Sequence, residues 1–495
     1  MTDIRFSSSV RALAFSLAIA ALLGSSGCAV GPAYVAPSAP VLKSYATSGD
    51  PTALPRADAV TQTLGAQIFG SQSHDTEWWR AFRSDELNQR VAETLAQNPD
   101  LKSAAFSLAA AREMYAAQKT SLLPQVGINY SLQRSKNSDT LANPLSGNEP
   151  PPTYTLHTGQ VAVSYAVDLW GENHRSLEQG KALLASQTYQ TTAAREILVG
   201  NMVAAELTVA GLQDQLADAA VASHASQETL RLMQTQATLG AVGQADLVVY
   251  QTTASQDAVQ EEGVRHQLTV AQDVLKRLTG HEPAAPVAAP LGLRLFSLPD
   301  NLPYVAPADL VAQRPDILEA QANLRAAYAA AGMAQAARLP AISLDGSAGG
   351  AASQLSHLVD QGNDYWTMAL GLTQPITNAV ALKHQARAAT QQLEAAKASY
   401  HSVVLQALSN VADCLDALYA DATGLAHALD VQTVANRNLA FNQSQAAQGA
   451  GGQIQLLAAV RAKAQADSAV DAARLQRYLD TVAFYIAVGP PTADR

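Results

Sequence analysis

Apolar and polar positions along the chain follow one period, then another, and the changes of period come twice in the same order. An alanine-rich stretch with helical spacing opens at Pro99-Asp100 and stops at Pro124. A second opens at Pro315-Asp316 and stops at Pro340, so both copies run about 25 residues from proline to proline. Proline suits a first helical turn, where its missing N–H has no helical partner. The aspartate beside it favours the positive end of the helix dipole. Each copy follows a short amphipathic segment, Leu87, Val91 and Leu95 in the first half and ADLVAQ (residues 308–313) in the second. A fixed order written twice points to internal duplication.

After each closing proline the period drops to two. Val126, Ile128, Tyr130 and Leu132 alternate with Gly127, Asn129, Ser131 and Gln133. Val161, Val163, Tyr165, Val167 and Leu169 alternate with Ala162, Ser164, Ala166 and Asp168. In the second half Ile342 and Leu344 alternate with Ser343 and Asp345, and Trp366, Met368, Leu370 and Leu372 with Thr367, Ala369, Gly371 and Thr373. The spacing predicts four strands, at about 125–133, 160–170, 341–349 and 366–376, each apolar on one face. Asp168 falls on the polar face, where a solvated position is expected.

The period then returns to helical over very long stretches. No proline interrupts the chain from Asn173 to about Leu239. Leu198, Met202, Ala205, Val209, Leu212, Leu216 and Ala219 keep the three-four spacing of a coiled-coil seam. Roughly 67 residues at 1.5 Å each make a helix of about 100 Å. A glycine turn, LGAVGQADL, reverses the chain into a helix ending near Gly280. The second half repeats this with a helix from about Val380, a turn QGAGGQIQLL and a final helix to about Val488. Gly240 and Gly243 correspond to Gly449 and Gly452, and Leu247 to Leu456. Laid end to end, the returning helix and the Pro-Asp helix nearly match the long helix in length.

Composition narrows the class. Charged residues are 15% and aromatics 5%, while AVILMFWYC reach 48%, so long helices packed through small side chains fit better than a bulky core. The net charge of −10, with no basic stripe, argues against nucleic acid as a partner. The histidines are scattered and the two cysteines form no CxxC. Without HExxH, GxSxG or a Walker loop, no catalytic, metal or cofactor constellation is visible, and no enzyme is expected. Trp78 and Trp79 read as packing residues where an N-terminal strap covers the helices.

The amino terminus carries a different signal. Arg5 and Arg11 precede an apolar segment from Ala12 to Leu23, about 12 residues and too short to span a bilayer as a helix. This is the pattern of an export signal. It ends in Ser26-Gly27-Cys28, which resembles a bacterial lipobox, with Ser25 where such boxes usually carry leucine. Acylated Cys28 followed by Ala29 rather than aspartate implies the outer membrane of a Gram-negative cell. The expected organisation is a signal at 1–27, a lipidated linker at 28–73, a first repeat at 74–281, a Pro-rich linker at 282–306, a second repeat at 307–488 and a tail at 489–495.

Four strands behind an export signal must hide their edges. In a bilayer only a closed barrel satisfies the backbone, and bacterial barrels need at least about eight strands. Several copies must therefore each give four strands to one barrel, polar face to the lumen and apolar face to lipid. The long helices project on one side. The expected fold class is mainly α with a transmembrane β portion, internally duplicated.

The stretches GCAVGPAYVAP, EWWRAFRSDEL, NPDL, LLPQVGINY, DLWGENHR, QATLGAVGQADLVVYQ and DLVAQRPDILEAQANLRAA cover most of the chain. In that order the chain resembles the TolC-like outer membrane factors, specifically the lipoprotein branch serving resistance-nodulation-division tripartite efflux. The resemblance implies a homotrimer with a twelve-stranded β-barrel and a long α-helical barrel in the periplasm. It implies passive exit for small molecules such as drugs and toxic compounds. The implied partners are a periplasmic adaptor, an inner-membrane resistance-nodulation-division pump and outer membrane lipid. It also implies a periplasmic tip and adaptor contact at Gly240, Gly243, Asp246, Leu247, Gly449, Gly452, Gln455 and Leu456. Many members carry acidic residues just after the second turn, where this chain has Gln455 and Ala458. A weak charge filter is therefore expected, with closure by Leu456 and Leu457 and any ring from Asp246. The rival reading, a type I protein secretion channel, shares the fold; lipidation and the RPDI segment tilt against it.

Overall fold

The computed structural model describes residues 30–38, 44–45, 49–50, 53–54, 67–70, 76–136, 153–286 and 291–489. The expected export signal, Cys28 and most of the expected N-terminal linker lie outside the described residues. In chain order the elements are β1 (Ile68–Gly70), α1 (Asp85–Gln97), α2 (Pro99–Lys119), β2 (Gln125–Ser135), β3 (Tyr154–Val167), α3 (Glu172–Thr238) and α4 (Gln244–Leu278). There follow β4 (Asn301–Pro303), α5 (Pro307–Gln313), α6 (Pro315–Ala336), β5 (Ala341–Ala352), β6 (Asp364–Thr373), α7 (Ala379–Ala447) and α8 (Gln453–Val488). A short helix, a Pro-Asp helix, two strands, a long helix and a returning helix thus occur twice. The long helices α3 and α7 have 67 and 69 residues.

The chain divides into two compact units. One holds Ala109–Ser186, Gln321–Ser399 and the described residues up to Ala36. Its sheet runs β2-β3-β5-β6, antiparallel throughout. β3 and β6 depart from the expected bounds. β3 begins six residues early and ends at Val167, and β6 spans Asp364–Thr373 and ends before Pro375, which has no N–H for a ladder. The early part of β3 (Thr155, His157, Gly159) lacks the apolar alternation, so the pattern alone hid it. In the same unit the N-terminal stretch is fixed by a close backbone approach. Gly31 sits at φ 103°, and a Cβ there would lie 2.5 Å from the Cα of Gly332. Next to it, the N–H of Val30 donates to the carbonyl of Trp170 at 3.1 Å. Tyr34 meets Tyr328 edge-on at 5.5 Å.

The other unit holds Pro37–Leu108, Gln187–Ala320 and Tyr400–Arg495. Here α3 and α8 pack through small residues. A Cβ at Gly200 would meet the side chain of Ile486 at 2.2 Å, and one at Gly211 would meet Leu475 at 2.8 Å. Val199, Met202, Val203 and Leu207 of α3 are fully buried in this core. The strand β1 pairs in parallel with β4. Trp78 and Trp79 are both buried, and Trp78 stacks on Tyr485 with ring centroids 5.1 Å apart. They pack into this core.

Candidate functional site

Over its helix-proximal part the sheet sorts its side chains into an apolar and a polar face. Directly paired residues share a face, and the register sets Val126 against Val163, Ile128 against Val161, Leu344 against Leu370 and Ile342 against Leu372. Asn129 lies against Gln160 and Ser347 against Thr367 on the opposite face. The apolar face is open: Ile128 is 84% exposed, Trp366 77% and Leu370 75%. A contiguous apolar surface of this kind marks contact with lipid or protein. Apolar-out, polar-in alternation is the signature of transmembrane barrel strands. A strand of 11 residues such as β2, rising about 3.3 Å per residue and tilted about 40°, covers about 27 Å, close to the apolar band of such barrels.

Asp168 corrects its expected place. β3 ends one residue before it, and its carboxylate turns to the start of α3. There it accepts from the N–H of Asn173 at 3.1 Å and of His174 at 2.9 Å, and contacts His174 Nδ1 at 2.6 Å. The unpaired N–H groups of a helix start draw in a carboxylate, so Asp168 is a cap and not a lumen residue. Burial, followed by the neighbouring Asp168, pushes the carboxyl of Glu172 upward.

The two glycine turns have the same construction. Gly240 and Gly449 adopt left-handed φ of 76° and 73°. The N–H of Gly240 donates to Ala237 at 3.0 Å and that of Ala241 to Gln236 at 2.9 Å. The N–H of Gly449 donates to Ala446 at 3.1 Å and that of Ala450 to Gln445 at 3.0 Å. Both are Schellman ends, which is why glycine stands there. Gly243 and Gly452 then begin α4 and α8 in extended conformation, and Leu247 and Leu456 donate back to them at 3.2 and 3.3 Å. Asp246 and Gln455 are exposed, and Leu247, Leu456 and Leu457 half-buried.

A tie between the hairpins lies just beyond the turns, at residues the sequence reading missed. Arg461 of α8 grips Asp257 of α4 with both arms of its guanidinium, Nε to Oδ2 at 2.5 Å and Nη2 to Oδ1 at 2.9 Å. The Asp257 side chain is only 9% exposed, so the pair is largely shielded from solvent. Hydrogen bonding to Asp257 raises the pKa of Arg461 further. No spacing rule could join two charges 204 positions apart; the one signal was a lone arginine in the apolar run LLAAVRA. Farther along α8, Asp218 faces Asp471 and Asp467 beside a cavity of about 680 Å³ that Arg294 and Arg474 also line. Burial, then Asp471 and Asp467, pushes the Asp218 carboxyl up to about 7.

A known family has this architecture. The profile described as outer membrane efflux protein matches residues 91–281 and 306–490. The antibiotic efflux pump outer membrane protein ArpC of Pseudomonas putida is 29% identical over 406 residues, covering 81% of this chain and 80% of that protein. Outer membrane protein OprJ of Pseudomonas aeruginosa is 28% identical over 404 residues, with 81% and 80% covered. Among solved structures, the outer-membrane channel OprN superposes with a TM-score of 0.78 at 23% identity, covering 94% of this chain and 99% of that one. The Campylobacter jejuni CmeC outer membrane channel gives 0.79 at 20% identity, covering 93% and 95%. The profile spans well over half the chain and takes in the four long strands, both glycine turns and the helices that flank them. The chain belongs to the outer membrane efflux protein family, as an efflux channel of the outer membrane with its helical part in the periplasm.

Proposed function

We propose that three copies close their sheets into one twelve-stranded barrel, and that residues 240–247 and 449–456 form its periplasmic tip. The observation that carries this reading is the sheet itself: an apolar face and a polar face over its helix-proximal part, and β2 and β6 as outer strands whose far edges find no partner strand among the described residues. Unpaired edges are untenable in lipid, and a second copy of the chain supplies the complement. In this reading an adaptor docks at the tip and along α4. A groove of about 450 Å³ there is lined by Val248, Thr252, Ser255 and Val259, and Val259 is 72% exposed. An inner-membrane resistance-nodulation-division pump completes the assembly. Relatives named for antibiotic and toluene efflux support small, partly apolar molecules as cargo.

The tip is a weakly charged constriction in this account, its second turn neutral. Leu456 and Leu457 close it by apolar contact, Gln455 brings no charge, and Asp246 supplies the only ring of carboxylates. Cys28 carries lipid in this reading, on the strength of the lipobox-like Ser26-Gly27-Cys28 that closes the apolar segment. The two repeats, 74–281 and 307–488, each supply two strands and one hairpin.

The test is co-purification with the adaptor encoded beside the channel's gene. The native chain should retain it, and Leu247→Asp with Leu456→Asp should lose it while the protein still forms conducting pores in a bilayer. Retention by the double variant would move the docking site away from the turns.

A further inference from the structure

The polar face of the barrel strands is almost without charge. On β2, β3, β5 and β6 it presents glutamine, asparagine, serine, threonine, alanine and glycine, with tyrosines and a leucine toward the far end. Asp345 is the one ionisable acid or base on that face among the described residues, apart from tyrosine hydroxyls. Its carboxylate is aimed by two hydroxyls. Ser164 Oγ of β3 donates to Oδ1 at 2.7 Å, and Ser343 Oγ of β5 donates to Oδ2 at 2.9 Å. Asp345 pairs with Ser164 and Ala369, and Ser164 with Gln125, the first residue of β2. This row therefore lies at the helix-proximal end of the sheet, which is the periplasmic end of the barrel.

We infer that Asp345 forms a cation-preferring collar at the periplasmic mouth of the β-barrel. The inference rests on the oligomeric barrel proposed above: each copy places one carboxylate at the same height, and no basic side chain of that face offsets it. The cargo it favours is cationic, such as a protonated amine, over an anion of equal size. Serine hydroxyls satisfy part of the carboxylate's acceptor capacity and fix its direction without neutralising it. Screening sets the reach. The Debye length is about 8 Å at physiological salt and about 30 Å at 0.01 M, so the collar acts near the wall in the cell and across the lumen at low salt. It is separate from the tip, where Asp246 holds the only acidic position in the turns.

The test reads the local potential directly. Ser347 lies two residues along β5 on the same face, paired with Thr367. In the full-length protein carrying Cys414→Ser, reconstituted in vesicles, Ser347→Cys is reacted with a trimethylammonium and a sulfonate thiol reagent of equal size. Each rate is taken relative to that with a small free thiol. At low salt the cationic reagent should react about five-fold faster, from Coulomb's law in water at two-residue spacing. Asp345→Asn should bring the ratio near one, Asp345→Glu should preserve it, and about 1 M salt should erase it. Equal rates with Asp345 intact would overturn the collar. No labelling by either reagent would instead remove this face from water, and with it the barrel on which the collar rests.

Discussion

Asn98 donates its side-chain amide to the carbonyl of Leu278 at 3.0 Å, across 180 residues of sequence. Its Oδ1 accepts from the N–H groups of Asp100 and Leu101 at 2.9 and 3.0 Å. One buried side chain thus ties the end of α4 to the start of α2. In the other half Arg314 stands at the same place before the Pro-Asp pair. It donates to the carbonyl of Ala487 near the end of α8 at 2.6 Å and is itself held by Asp316. Gly280 and Gly489 turn the chain at the two junctions with φ of 78° and 80°. The repeated proline-aspartate helix therefore starts against the end of the returning helix in each half.

Asn98→Ala removes a cap, costing about 1 kcal/mol, and orphans a buried carbonyl, costing about 1–3 kcal/mol. The melting temperature of the detergent-purified protein should fall clearly. Asn98→Asp keeps the cap but sets a carboxylate oxygen against the Leu278 carbonyl in a buried site, and should fall at least as far as Asn98→Ala.

Breaking the Arg461–Asp257 pair should loosen the returning helices from each other. Removing one partner of a shielded ion pair costs up to about 3–5 kcal/mol, less here because the Arg461 side chain is 30% exposed. Asp257→Ala should raise mean single-channel conductance. The exchange of Asp257→Arg with Arg461→Asp should restore much of the native value, and equal conductance in all three proteins would deny the pair any role in holding the tube closed.

Leu370→Lys places a charge on the apolar face at a cost of about 2–4 kcal/mol per copy near the bilayer midplane. The same follows for Tyr130, Val163 and Leu344. Gly127→Ser or Thr367→Ser, on the opposite parity, should be tolerated. Heat-modifiable migration of the assembled protein separates the two classes; equal damage would mean the faces are reversed.

Stability should fall as pH rises toward neutrality. Burial, then the carboxylates that face it, pushes Asp218 from 3.8 up to about 7, and burial with Asp480 in contact does the same to Asp421. Both hold protons in the folded chain where the unfolded chain has lost them. Their stabilisation is full below about pH 3.8, is lost between there and about 7, and is flat above. Asp218→Asn with Asp421→Asn should flatten the melting temperature across that window.

Much of this was legible in the residues. Period-two alternation fixed the faces of all four strands, because one-sided burial makes register unambiguous. Glycine at left-handed positions marked both turns. Asp168 was misread because alternation continues through it, while the open N–H groups of α3 decide where its side chain goes. The junction residues were hidden because Asn98 and Arg314 are chemically unlike, though each donates to a carbonyl at the end of the preceding helix. The Arg461–Asp257 tie exists only after both hairpins have folded.

Divalent-cation block in planar-bilayer recordings bears most directly on the central claim, an oligomeric pore narrowed at a weakly charged tip. The native chain should give discrete conductance steps with weak block, since carboxylate rings are what bind cations in a constriction. Gln455→Asp should strengthen the block. Strong native block that survives Asp246→Asn would place the constriction elsewhere and contradict the account.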